Sequence, residues 1–84
     1  MEGDRRAQLT ESIRAVIIEA LQVPAEQVTP DLAFGDLPQW DSMGHMEVMI
    51  SLEAQFGVEV TADTIANLTN IPAISNHIDG SHHG

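Results

Sequence analysis

Asp41 and Ser42 stand where a stretch broken by Pro24, Pro30, Gly35 and Pro38 gives way to a run with helical periodicity. A serine at such a junction can do three kinds of work. Its hydroxyl can cap the helix by accepting a free backbone amide of the first turn, worth about 1 kcal/mol. It can instead carry an anion. Unpaired amides and the positive end of the helix dipole favour negative charge there, so a phosphate ester on the hydroxyl is accommodated. Asp41 would then orient the cation of a modifying enzyme or compete for the cap. The third possibility is a nucleophile, with His45 three residues on and within reach. That reading fails for want of a Gly-x-Ser-x-Gly elbow, an oxyanion hole and enough chain for a pocket, so no catalytic residue is assigned.

Other chemistry-bearing residues give less. His82 and His83 lack further ligands at metal-site spacing, and the acidic residues from Asp31 to Asp41 do not alternate as a calcium loop requires, so no metal site is expected. On a helical wheel His45 falls beside Leu52 and Phe56, which suits a packed histidine bonded to loop backbone better than a general base.

The elements that must position Ser42 follow from spacing. Leu9, Ile13, Val16, Ile17, Ala20 and Leu21 recur at steps of three and four, predicting an amphipathic helix from about residue 5 to 21. The prolines and Gly35 forbid a helix until Asp41 and leave a long connection, with Val28, Leu32, Phe34 and Leu37 spaced as anchors to the core. A second helix runs from about Ser42 to Phe56 and stops at Gly57. A short third one covers about Ala62 to Asn67 behind Thr61, a fair N-cap. Asn70 can cap a fourth, with Pro72 tolerated in its first turn and Ile71, Ile74 and Ile78 on one face. The prediction is an all-α four-helix bundle with a long first loop and a short third helix, its core spanning about residues 5–78 and its polar tail, 79–84, frayed.

At 84 residues the chain has room for one domain. Without cysteine it has neither disulfides nor thiolate metal ligands, which fits a reducing cytoplasm. Thirteen Asp and Glu face three Arg and no Lys, for a formal net charge of −10. Phosphate neutralisation needs clustered cations, and the only pair is Arg5-Arg6, so nucleic acid is excluded and anionic membrane surfaces are disfavoured. No stretch is long and apolar enough to insert into a bilayer. Basic proteins are the natural partners, steered in over a screening length of about 8 Å at physiological salt.

The second helix has more apolar surface than a small bundle needs. Val48, Met49, Leu52 and Phe56 form one arc. Met43, Met46 and Ile50, interleaved with Glu47 and Glu53, form another, and together they exceed about 200°, twice the stripe of roughly 100° that seals a surface helix onto its core. Buried carboxylates need partners and no Lys exists here, so the arc with the glutamates is the one expected in solvent. Methionine adapts to different shapes, so this strip suits docking of several partners. The competing reading packs it under the long loop.

These residues resemble something known. The segment FGDLPQWDSMGHMEVMISLEAQFGVEV is similar to the acyl carrier proteins, which show Asp-Ser-Leu or Asp-Ser-Met before a helix ending Leu-Glu-x-x-Phe-Gly. The likeness extends over about residues 9–78. It implies that Ser42 is the attachment point of 4′-phosphopantetheine, taken from coenzyme A, on whose thiol acyl or aminoacyl intermediates are held as thioesters. It implies a partner-binding face at Asp41, Met43, Met46, Glu47, Ile50 and Glu53, and interior positions at Phe34, Met49, Leu52 and Phe56. The implied partners are a phosphopantetheinyl transferase, an acyl- or aminoacyl-loading ligase or transferase, and downstream enzymes with basic docking patches, met by a free-standing, non-catalytic monomer. The Trp-Asp-Ser-x-Gly-His variant looks like discrete carriers of specialised or secondary pathways. Gly44 inside a helix costs about 1 kcal/mol against alanine, leaving either a close approach by the arm or a partner, or no role. The alternative from another class is an unmodified helical adaptor that binds a partner helix on the surplus arc, with Ser42 merely a cap.

Overall fold

The computed structural model describes residues 2–81. Four α-helices carry the fold: α1 (Glu2–Leu21), α2 (Ser42–Phe56), α3 (Ala62–Asn67) and α4 (Ile71–Ser81). The predicted all-α architecture is present, with α1 packed against both α2 and α4 and the short α3 set against α2. Two ends differ from expectation. α1 begins at Glu2 and α4 runs through 79–81, the first half of the expected frayed tail, while residues 82–84, with His82 and His83, lie outside the described residues. A cluster joins those two ends: Arg5 and Arg6 pair with Asp79 at 3.2 and 3.3 Å, and Arg6 also donates to Asn76.

The core is the inner stripe of each long helix. Ile13 and Ile17 of α1, Val48, Met49 and Leu52 of α2, and Ile71 and Ile74 of α4 are fully buried, and burying each such side chain contributes on the order of 2 kcal/mol. Phe56, expected inside with them, is only half-buried, because it sits at the last residue of α2 where the helices part. Helix ends are made as local chemistry dictates. Gly57 takes a left-handed conformation (φ 72°) and donates its amide back to Glu53 and Leu52. Thr61 and Thr64 form a reciprocal capping box on α3, and the Asn70 side chain accepts the Ala73 amide at 2.7 Å to cap α4.

The segment from 22 to 41 is pinned along its whole length. α1 ends with Gln22 in the left-handed region (φ 56°) and the Val23 amide on the Ile18 carbonyl. A single 3₁₀ turn, Ala25–Gln27, follows, and Arg14 reaches from α1 to donate to the carbonyls of Val28 and Ala25. Val28 and Leu32 then enter the core. Next the Phe34 amide bonds the Thr69 carbonyl (2.8 Å) and the Ile71 amide bonds the Leu32 carbonyl (3.0 Å), an antiparallel bridge that moors the loop to the start of α4.

The anchor set of this loop departs from the sequence reading at one point. Phe34, expected in the interior, is 42 % exposed, and Trp40 is fully buried in its stead. The cause is a turn: Asp36 accepts the Ala33 amide, Gly35 adopts φ 91°, and the Gly35 amide closes on the Trp40 carbonyl. That turn carries the indole inward and leaves the Phe34 ring at the rim.

Candidate functional site

Asp41 and Ser42 divide the work at the head of α2. Asp41 is extended (φ −102°, ψ −165°), and its Oδ1 accepts the Gly44 amide at 2.9 Å while its carbonyl accepts the His45 amide at 2.7 Å. The cap is therefore the aspartate, and the serine of the capping reading is relieved of that duty. Ser42 is the first helical residue and is exposed. Its hydroxyl, its amide and the Met43 amide have no hydrogen-bond partner among the described residues. An anionic ester on that hydroxyl would meet two free N–H groups at the positive end of the helix dipole. The residues present thus fit a serine-linked phosphodiester.

Gly44 and His45 hold this head in place. A Cβ on Gly44 would fall inside the contact distance of the Gln39 carbonyl oxygen and 2.9 Å from the Leu21 side chain. Glycine is thus required because the chain's own loop passes there, not because an arm or partner approaches. His45 is 5 % exposed. Its Nδ1 accepts the Trp40 indole N–H at 3.0 Å and its Nε2 donates to the Ile65 carbonyl at 2.8 Å. An indole nitrogen only donates and a carbonyl only accepts, so these two partners select the neutral imidazole with its proton on Nε2. The expectation of a packed histidine holds, with its partners corrected: an indole from the loop and a carbonyl from α3. The Phe34 ring stands edge-on to the imidazole with centroids 5.5 Å apart.

Beside Ser42 lies an open, mainly apolar groove of about 390 Å³, lined by Phe34, Ser42, His45, Met46, Ile65 and Thr69. Ile65 and Thr69 were not singled out by sequence reasoning. The usable signal was the lone Trp: a large indole in a loop five residues before a histidine must bury its N–H against some acceptor.

The surplus arc of α2 is in solvent. Met43 is 82 % exposed, Ile50 52 % and Met46 38 %, and Glu47, Glu53 and Asp41 are exposed with them. The long loop does not cover this strip. All three arginines are engaged elsewhere: Arg5 and Arg6 with Asp79, and Arg14 with Glu11 and loop carbonyls. The carboxylates on the arc therefore have no cation from the described residues to neutralise them. Of the eleven positions singled out by sequence, the structure brings Ser42 and the six outer residues onto one side, keeps Met49 and Leu52 inside, and leaves Phe34 and Phe56 at the edges.

Comparison with known proteins bears on the same span. A family model described as "Phosphopantetheine attachment site" matches residues 11–78. Relatives named acyl carrier protein include one from Helicobacter pylori strain G27, 37 % identical over 71 residues that cover 84 % of this chain and 91 % of the relative. Another, from Thermobifida fusca strain YX, is 30 % identical over 71 residues, 84 % and 90 % of the two chains. A third, from Thermosynechococcus vestitus, is 26 % identical over 74 residues, 88 % and 91 % of the two. Among the described residues no helix is long and apolar enough to cross a membrane. With the family matched over residues 11–78 and an anion-ready serine at the head of α2, this chain belongs to the acyl carrier proteins, non-catalytic carriers with a covalently attached 4′-phosphopantetheine group.

Proposed function

We propose that Ser42 is the residue that bears the 4′-phosphopantetheine, that acyl or aminoacyl intermediates are carried on it in a reducing cytoplasm, and that partner enzymes dock on the outer arc of α2. The observation that carries this reading is the division of labour at the helix head. Asp41 satisfies the Gly44 amide, so the Ser42 hydroxyl is exposed and chemically idle while the free amides of Ser42 and Met43 face the same place. In the loading step the hydroxyl oxygen of Ser42 attacks the β-phosphorus of coenzyme A. The pyrophosphate bond breaks, adenosine 3′,5′-bisphosphate leaves, and the hydroxyl proton passes to a base of the transferase. When bound, the group supplies a terminal thiol for thioester chemistry. The chain's own residues would orient and present the group: the free amides of Ser42 and Met43 would meet its phosphodiester, and Phe34, Met46 and Ile65, with His45 and Thr69, line the nearest groove.

Docking follows from charge and shape. Glu47 and Glu53 carry uncompensated charge that steers basic partners, while Met43, Met46 and Ile50 supply adaptable apolar contact at the centre. Such a surface binds weakly and in a salt-sensitive way, as a carrier that must leave each partner requires.

The test is intact-mass measurement after co-expression with a broad-specificity phosphopantetheinyl transferase. The parent is expected to gain one phosphopantetheine and Ser42→Ala none. A parent that stays unmodified with several transferases would remove the reading, as would an equal gain in the alanine variant.

A further inference from the structure

A hydrogen-bonded relay runs from Trp40 through His45 to Ile65. It joins three separate elements by two hydrogen bonds: the end of the long loop, the first turn of α2 and the last turn of α3. α3 has six residues, none of them buried, although Ile65 packs partly against the core and its C-cap Leu68 is buried. Its Thr61–Thr64 capping box and the Thr64 hydroxyl on the Glu59 carbonyl tie it only to the chain just before it. A helix leaves its last four carbonyls without intrahelical donors, and in α3 the Ile65 carbonyl is one of these. The donor it finds is the imidazole of His45, at 2.8 Å. That donor exists because the Trp40 indole occupies Nδ1 and so fixes the ring proton on Nε2.

We infer that His45 and Trp40 are positioning residues: His45 caps α3 from α2, Trp40 fixes the tautomer that allows it, and together they hold α3 across the groove beside Ser42. The consequence is geometric. Ile65 and Thr69 line that groove together with Met46, and His45 is part of its lining as well as the tie. The second tie is the Phe34 amide on the Thr69 carbonyl, so the loop secures one end of that lining directly and the other through the imidazole. What Ser42 bears would therefore find a groove while the relay is closed and a loosened edge when it is broken. That last clause rests on the assignment of Ser42 proposed above; the relay itself does not.

Two near-isosteric variants separate the two bonds. Glutamine at 45 can place its amide N–H near the Nε2 position and keep the Ile65 carbonyl satisfied. Asparagine places its oxygen near Nδ1, keeps the Trp40 indole satisfied and falls short of Ile65. Amide hydrogen exchange of the full chain, followed residue by residue, reads the outcome. His45→Asn is expected to speed exchange through 64–69 about tenfold relative to the amides of α1, and His45→Gln to restore the parent ratio. Equal local exchange in both variants would overturn the inference, as would acceleration spread evenly over α1 and α4, which a merely structural histidine would give. Should His45→Asn fail to fold, Trp40→Phe decides. Loss of the indole donor is expected to speed α3 exchange relative to α1, and an unchanged ratio would overturn the relay. Exchange is measured without loading Ser42, so failure of the relay leaves the attachment site standing, and failure of loading leaves the relay standing.

Discussion

Gly44 and His45 sit on the side of α2 that meets the long loop, and the chain itself fixes both: a Cβ on the first would strike the Gln39 backbone, and the second spends both ring nitrogens. Met43 and Met46 flank them in sequence, and with Ile50 they lie open to solvent on the adjoining face. One turn of helix thus holds both extremes. The inner side is specified by distances to the chain itself, and the outer side by nothing in the chain. A face that folding does not need yet still carries three large apolar side chains and two unpaired carboxylates is a face whose use lies outside the molecule.

The contrast is easiest to break at Gly44. A methyl group there would strike a backbone carbonyl and the Leu21 side chain at once, so Gly44→Ala is expected to destabilise by about 3 kcal/mol despite alanine's better helix propensity. Met43→Ala, one residue away and 82 % exposed, should stay within about 0.5 kcal/mol of the parent. Urea unfolding of both checks this. A tolerant Gly44 would mean that the loop can lift from the helix head, and the rigid side of the comparison would dissolve.

A charge reversal sharpens the other side. Glu47→Lys should leave helical content and unfolding midpoint unchanged while slowing loading by a phosphopantetheinyl transferase about tenfold at low salt, with the difference shrinking as salt rises. Glu53→Lys should act in the same direction. Steady-state rates at two ionic strengths, beside circular dichroism of the same samples, give the result. Parent-like rates at low salt would take these glutamates out of the docking face.

How far the sequence reaches depends on whether a feature is local. Thr61, Asn70 and Gly57 cap or end their helices through bonds spanning three or four residues, and each was legible from spacing. So was the split of α2 into Val48, Met49 and Leu52 inside and Met43, Met46 and Ile50 outside, because helical geometry alone separates them. The extension of α1 back to Glu2 and of α4 on to Ser81 was not legible. It goes with ion pairs between Arg5, Arg6 and Asp79, more than seventy positions apart. The exchange of Phe34 for Trp40 has the same origin. Which aromatic enters the core is set by the turn at Gly35 and by the indole's acceptor on His45, neither of which hydrophobic spacing can weigh. At the site, the serine was legible and its freedom was not, since Asp41 and Ser42 are both good caps by type.

That last ambiguity yields the smallest effect and the narrowest comparison, between two neighbouring residues. Asp41 accepts the Gly44 amide, so Asp41→Ala removes a cap and should cost about 1 kcal/mol. The Ser42 hydroxyl accepts nothing, so Ser42→Ala should leave stability within about 0.5 kcal/mol of the parent, and alanine at an exposed first-turn position brings a slightly better helix former. If the serine were the cap, the order would invert. Thermal or urea unfolding of the two unmodified variants measures it directly. A Ser42→Ala loss equal to that of Asp41→Ala would mean the hydroxyl is committed to the helix, and a committed hydroxyl is a poorer candidate for attack on phosphorus. The near-zero effect is thus the informative one: a polar group at the tip of a helix that contributes nothing to the fold is free for chemistry.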